Sequence, residues 1–118
     1  MINLRVEGNR IEDLVKFLSN CSESTDDVYK AGVVKEINGK KVGFFVYEVF
    51  YLRTQGTVSC SIFLVQTEES LCEIAIVGSG GASAVGITWG AHKDIEKKVA
   101  ENILKHVKEI GMKGYHSS

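Results

Sequence analysis

Polar side chains interrupt two neighbouring apolar segments near the middle of the chain, and they are the first candidates for chemistry. Glu48 stands in a run of valine and aromatic residues, and Ser59 and Ser61 stand in the next apolar run. A carboxylate among apolar side chains needs hydrogen-bond donors, which serine hydroxyls can supply. An enzyme would use Glu48 as its general base. The sequence shows no second catalytic group beside it, so we assign no catalytic residue.

A glycine-rich segment, Gly78-Ser79-Gly80-Gly81, could bring backbone amides close to these polar side chains. Amides at the start of a helix bind phosphate, but this segment lacks a following lysine and precedes the next helical pattern by about a dozen residues. We therefore interpret it as a glycine-rich bulge that ends a strand. The candidate ligand-binding residues are Glu48, Ser59, Ser61, Ser79, Gly80 and Gly81.

Histidines and cysteines do not form a recognisable metal site in the sequence. The histidines are His92, His106 and His116, and the cysteines are Cys21, Cys60 and Cys72. A zinc site needs three or four converging ligands, and no such spacing occurs. A pair of Cys60 or Cys72 with a histidine could be nucleophilic, but both cysteines stand inside predicted strands. We interpret all three as reduced, part-buried thiols and expect no metal and no cofactor.

Length and charge exclude several classes of protein. The chain has 118 residues, 14 basic against 15 acidic side chains and a net charge of −1. We expect one domain over residues 1–118. The sequence lacks the stripe of basic residues that is typical of nucleic-acid binding. It also lacks an apolar run that approaches the ~20 residues needed to span a bilayer. Residues 2–6 lack the apolar core of a signal peptide, so we expect a cytoplasmic protein without nucleic-acid or membrane partners.

Three candidate strands in succession form the centre of the predicted fold. They are Lys40–Leu52, Thr57–Gln66 and Leu71–Gly78. Their β-branched and aromatic residues, bounded by short polar breaks, are typical of an antiparallel meander. Asn38-Gly39 tolerates positive φ at both central positions of a type I′ turn and predicts a hairpin with the weaker strand 28–37 before it.

One strand and two helices complete the predicted fold. Residues 2–7 alternate apolar and polar side chains, which indicates a half-buried strand. Apolar stripes predict one helix that ends near Asn20 and another that starts near Asp94 and stops at Gly111 and Gly114. The stripes consist of Ile11, Leu14, Val15 and Leu18, and of Ile95, Val99, Ala100, Ile103, Leu104, Val107 and Ile110. We predict an α+β fold, β-α-β-β-β-β-α, with both helices on one face of a five-stranded antiparallel sheet and the first strand beside the last strand of the meander.

The expected strand pairing leaves one sheet face uncovered. We expect Leu52 to pair with Thr57 and Gln66 with Leu71, so that alternate residues share a face. Two helices can cover only one face, and the other would carry an apolar surface around Glu48, Ser59 and Ser61. Its predicted interface residues are Phe44, Val46, Phe50, Phe63, Ile74 and Ile76. A one-residue error in either turn would exchange the faces of one strand.

Short segments of the chain carry a resemblance to a known family. They are Val46-Tyr47-Glu48 with Phe50, Val58-Ser59 with Ile62, Leu64 and Val65, and Ser79-Gly80-Gly81. In order and spacing the chain resembles a family of small bacterial proteins classed as a domain of unknown function. That resemblance implies bacterial origin and brings no activity. The element order also resembles the TATA-binding-protein-like arrangement of one curved sheet and two helices, which concerns fold alone.

Three functions from different classes follow from this sequence. The first is a homo-oligomer, in the simplest case a dimer, that buries the open sheet face. The second is a small-molecule binding protein whose polar anchors are Glu48, Ser59 and Ser61. The third is the enzyme that uses Glu48 as a base.

Overall fold

The computed structural model describes residues 1–20, 27–51, 56–80 and 91–117. It contains six strands and two helices within these ranges. In chain order they are β1 (Ile2–Glu7), α1 (Ile11–Asn20), β2 (Asp27–Ile37), β3 (Lys40–Tyr51), β4 (Gly56–Glu68), β5 (Leu71–Gly80), α2 (Ala91–Glu109) and β6 (Lys113–His116).

The strands form one antiparallel sheet in the order β2-β3-β4-β5-β1-β6. β1 pairs with β5, from Ile2 opposite Ile76 to Glu7 opposite Leu71, as the sequence predicted. The predicted α+β class and antiparallel sheet are confirmed. The predicted strand number was wrong, because β6 adds a sixth strand on the outer side of β1.

The extra strand exists because the chain reverses at the end of α2. Gly111 adopts φ +80°, a left-handed conformation that suits glycine. Its N–H donates to the Lys108 carbonyl at 3.1 Å, and the Met112 N–H donates to the Val107 carbonyl at 2.9 Å. This pair of hydrogen bonds is a Schellman motif, which satisfies the last helical carbonyls. The chain then returns beside β1, so Gly114, which was predicted to stop the helix, lies in β6 instead.

The hairpin between β2 and β3 has the predicted turn. Asn38 and Gly39 adopt φ of 53° and 78°, and Ile37 pairs directly with Lys40. Positive φ at both central residues is the signature of a type I′ turn. The predicted two-residue hairpin is confirmed.

The core lies between the two helices and one sheet face, as predicted. Inward side chains alternate along the strands, and both helices turn their apolar stripes toward them. The main core residues are Leu4, Val6, Leu14, Leu18, Phe45, Tyr47, Val58, Ile62, Leu64, Ile74, Ile76, Ile95, Val99, Ile103 and Val107. We call this the helix face of the sheet and the opposite side the open face.

The predicted placement of Ile74 and Ile76 on the open face was wrong. Both are core residues on the helix face, with 1% and 0% of their surface exposed. The pairing of β4 with β5 shifts between Gln66 and Glu68, so that Thr67 is an extra residue. A bulge of this kind changes the register by one and exchanges the two faces of the following pairs. Ala75 and Val77 therefore lie on the open face.

The pairing of β3 with β4 differs from the expected one by two residues. Phe50 lies opposite Thr57, and Glu48 lies opposite Ser59 rather than Ser61. A two-residue shift preserves the faces, so Phe44, Val46 and Glu48 remain on the open face as predicted.

Neither helix in the described part of the chain combines the length and apolar character required to cross a membrane.

Candidate functional site

The open face carries a group of exposed apolar side chains at its centre. Val33, Phe44, Phe63 and Val77 expose 48%, 43%, 44% and 40% of their surface. Val33, Phe44, Phe63 and Ala75 lie in one row across four strands. The rings of Phe44 and Phe63 meet edge to face, with centroids 6.4 Å apart. We call the following residues the apolar patch: Val33, Phe44, Val46, Phe63, Val65, Ala75 and Val77.

The predicted polar residues form a row beside the apolar patch. Glu48, Ser59 and Ser79 are direct neighbours across β3, β4 and β5. The hydroxyl oxygens of Ser59 and Ser79 are 2.9 Å apart, and the Ser59 hydroxyl lies 3.4 Å from the Ser79 carbonyl oxygen. Glu48 and Ser59 are half-buried, whereas Ser79 is exposed. Ser61 lies one row further along, between Val46 and Val77, so the structure separates it from Glu48.

The remaining predicted site residues fall at the end of β5 or beyond it. Gly80 pairs with Val58 as the last residue of a strand that continues regularly through Gly78 and Ser79. The predicted bulge is therefore absent from this strand as far as Gly80. Gly81 lies outside the described residues, as does the side chain of Phe50.

Charged side chains occupy the other half of the open face, over β1, β5 and β6. Arg5 donates to Glu73 Oε1 at 3.0 Å, and the Tyr115 hydroxyl donates to Glu7 Oε1 at 2.9 Å. The hydrogen bond that Arg5 donates to Glu73, with a smaller contribution from Tyr115, raises the pKa of the Arg5 guanidinium. The open face thus has an apolar half and a charged, internally paired half.

One buried carboxylate lies on the helix side of the sheet, where the sequence analysis did not place one. Glu96 is 5% exposed; its Oε2 accepts the Gly78 N–H at 2.8 Å, and its Oε1 lies 3.1 Å from the Met1 amino nitrogen. The pairing of β5 with β1 ends at Ile76, so Glu96 satisfies an amide just beyond that pairing. Helical spacing in the sequence could have indicated this burial, because Glu96 precedes Val99 and Ala100 by three and four residues and therefore shares their apolar stripe.

A cleft of about 680 Å³ lies between α1 and α2. Two of its lining residues, Phe17 and His106, stack in parallel, with ring centroids 4.0 Å apart and planes inclined by 10°. Charges of both signs surround them, and Arg10 and Asp13 form an ion pair. Residues from both helices line the cleft: Arg10, Asp13, Lys16, Phe17, Asn20, Asn102, Lys105, His106, Glu109 and Ile110. Sequence reasoning missed it, since these side chains come from two helices far apart in the chain.

The described cysteines are core residues, as expected for strand positions. Cys60 and Cys72 are both completely buried thiols. Burial raises the pKa of the Cys72 thiol to about 12, so it is protonated near neutral pH. Among residues 1–20, 27–51, 56–80 and 91–117, no group of three His, Cys, Asp or Glu side chains is placed to hold a metal ion.

Comparison with known proteins gives one assignment. Neither the curated proteins nor the solved structures gave a significant match, and the resemblance to the TATA-binding-protein-like arrangement stays a prediction. A family model described as a family of unknown function, DUF6054, matches residues 3–108. This range includes every described strand and helix except the first residue of β1, the last residue of α2 and all of β6. The chain therefore belongs to DUF6054, a family of unknown function.

Proposed function

We propose that this protein is a self-association module whose open sheet face is the interface with a second copy of the chain. The supporting observation is the exposure of Val33, Phe44, Phe63 and Val77 together on the face that the helices leave uncovered. Scattered exposed apolar residues are normal in proteins, but a contiguous group of this kind marks an interaction surface. A second copy is the simplest partner, because a twofold axis makes one surface serve both sides.

The size of the open face suits this partner. Six strands spaced about 4.8 Å apart, with roughly nine residues each at about 3.3 Å per residue, give a face of roughly 800–900 Å². A stable interface buries about 800 Å² on each partner. Two such sheets would pack face to face with their apolar patches in contact and the charged halves toward the rim.

Sedimentation velocity with substitutions in the apolar patch tests this proposal. We expect the open face to hold two copies together at micromolar concentration, and we expect Phe44→Asp and Phe63→Asp to lower the sedimenting mass by removing this contact, because a buried unpaired carboxylate is costly. Both side chains are more than two fifths exposed, so the monomer should tolerate either change. Asn9→Asp adds the same charge at an exposed position outside the sheet and should behave as the parent. A parent protein whose sedimenting mass equals that of Phe44→Asp and Phe63→Asp at every concentration would contradict the proposal.

The polar row supports a second candidate function, which is binding of a small polar molecule. Glu48, Ser59 and Ser79 place a carboxylate and two paired hydroxyls in one row beside an apolar wall. Binding sites commonly combine apolar walls with a few convergent polar groups. The described residues of this row include no histidine, cysteine or second carboxylate, so the enzyme hypothesis gains no catalytic partner for Glu48.

Glu48→Gln distinguishes a binding role from a structural one. The substitution keeps the shape and hydrogen-bonding capacity but removes the charge. If the row binds a ligand, some member of a panel of small polar metabolites should raise the melting temperature of the parent and not that of the variant. If the row only fixes strand register, no metabolite should raise the melting temperature of the parent more than that of the variant, and the variant should be at least as stable as the parent.

A further inference from the structure

The edge strand β2 is unusually exposed for a strand of 11 residues. Among the described strands it pairs only with β3, and every residue from Lys30 to Ile37 is exposed. Val33 on the open face and Val34 on the helix face expose 48% and 38% of their surface. Proteins usually shorten or cover such edges, because the free backbone groups can pair with another strand. An edge that is long, carries an exposed valine on each face and is uncovered by the described elements indicates a partner strand.

The turn fixes which backbone groups of β2 face outward. The hydrogen bond that closes a type I′ turn makes Ile37 and Lys40 a bonded pair. Bonded pairs alternate along an antiparallel ladder, so Lys35, Val33 and Ala31 also direct their backbone groups toward β3. The backbone groups of Lys30, Gly32, Val34 and Glu36 therefore lie on the outer edge.

The sequence of β2 is complementary to itself in one antiparallel register. With Val33 opposite Val33 of a second copy, Lys30 lies opposite Glu36 and Glu36 opposite Lys30. Outward-facing residues then meet outward-facing residues, as hydrogen bonding requires, and Gly32 meets Val34. Opposite charges directly across an antiparallel pair are stabilising. A shift of two residues in either direction places Lys30 opposite Val34 or Asn38 and removes both ion pairs.

We propose that β2 binds β2 of a second copy in this register, with a twofold axis at Val33. The two six-stranded sheets then continue as one, and the helices of both copies lie on the same side because the axis is perpendicular to the sheet. Lysines on an edge normally discourage pairing. Here the Lys30 ammonium would meet the Glu36 carboxylate, so this register is allowed, whereas the shifted registers leave the Lys30 charge uncompensated.

This edge contact is independent of the face contact proposed above. Lys30 and Glu36 lie on the helix face of the sheet, as shown by their pairing with Tyr47 and Lys41, whereas Phe44 lies on the open face. The two contacts use perpendicular twofold axes, and together they would join four copies. Phe44→Asp should remove the face contact alone, and Lys30→Glu should remove the edge contact alone. Failure of one proposal is thus separable from failure of the other.

A charge exchange in the Phe44→Asp background tests the edge contact by sedimentation equilibrium. Lys30→Glu and Glu36→Lys each replace two attractive pairs by two repulsive ones, so each should weaken the remaining dimer about tenfold or more. The double variant Lys30→Glu with Glu36→Lys restores attraction and should recover the dimer. A double variant that dimerises no more tightly than either single variant would overturn the proposed register.

Disulfide trapping gives a second readout that does not depend on the Phe44 variant. Facing residues in a non-bonded antiparallel pair have Cα atoms about 4.5 Å apart, which lies within disulfide range. Val33→Cys in a Cys21→Ser background should therefore form a covalent dimer under mild oxidation. Val34→Cys is the matched control, because its own copy would lie two residues away along the strand and out of range. Equal or no cross-linking of the two variants would overturn the proposal.

Discussion

Truncation of two consecutive residues of β5 tests the corrected faces of the sheet most sharply. Ile76 is completely buried under the helices, whereas Val77 exposes 40% of its surface on the open face. The difference arises from the extra residue Thr67 in β4. We expect Ile76→Ala to be far more destabilising than Val77→Ala, although the two side chains are adjacent and chemically similar.

The magnitude follows from burial. Removal of three methyl or methylene groups from a core isoleucine costs about 2–5 kcal/mol, because the cavity closes only in part. Truncation of a partly exposed valine away from special contacts should stay within roughly 1 kcal/mol. With a urea m-value of about 1–3 kcal/mol/M, a loss of about 3 kcal/mol lowers the unfolding midpoint by about 1–3 M.

Urea unfolding followed by circular dichroism measures both variants in one experiment. Each should be made in the Phe44→Asp background, so that loss of association does not add to the effect of Val77→Ala. Equal m-values would show that the midpoints report stability. A larger loss for Val77→Ala than for Ile76→Ala would refute the bulge at Thr67 and return β5 to the register without it.

Three further predictions concern the core. Ile103→Ala should lower the free energy of unfolding by about 2–5 kcal/mol and Lys105→Ala by less than roughly 0.5 kcal/mol, since Ile103 is buried in α2 and Lys105 is exposed. Equal urea midpoints for the two variants would contradict the orientation of the helix. Gly43→Ala should cost about 1–3 kcal/mol, because a Cβ there would lie 2.8 Å from the Phe45 ring; an unchanged midpoint would show that the ring moves aside. Burial raises the pKa of Cys72 from an ordinary 9.0 to about 12, so the stabilising contribution of this thiol is complete below pH 9 and is lost as pH rises toward 12. Over that range the free energy of unfolding of the parent should fall by roughly 1 kcal/mol per pH unit more than that of Cys72→Ala. Parallel pH dependences of the two proteins would contradict this prediction.

Local signals in the sequence were sufficient for much of the fold. Asn38-Gly39 identified the hairpin because few other residue pairs tolerate positive φ at both positions. The helices followed from apolar spacing, and the buried side of α2 matches its predicted stripe from Ile95 to Val107. β1 pairs with β5 as expected.

The errors have a common physical origin in long-range register. Nothing in the local pattern around Thr67 marks an extra residue, because the bulge is decided by how β5 packs under the helices. A register error of one exchanged the faces of Ile74 and Ile76, while an error of two left Phe44 and Glu48 on the correct face.

The candidate site was predictable only in part for the same reason. The shared face of Glu48 and Ser59 follows from alternation along the strands, whereas their direct pairing was missed, because the expected register placed Ser61 opposite Glu48. The contact of Ser59 with Ser79 required the register of a third strand. β6 was missed because four residues after a helix-ending glycine carry too little pattern to distinguish a strand from a tail.

Solvent accessibility of the Val77 methyl groups tests the central claim, that a second copy covers the open face, most directly. In one copy these methyls lie on the exposed side of β5, so a soluble nitroxide should broaden their NMR signals. We predict protection of these signals in the parent from tens to several hundred micromolar, and strong broadening in Phe44→Asp throughout that range. Broadening that is equally strong across the whole concentration range in the parent protein would contradict the claim.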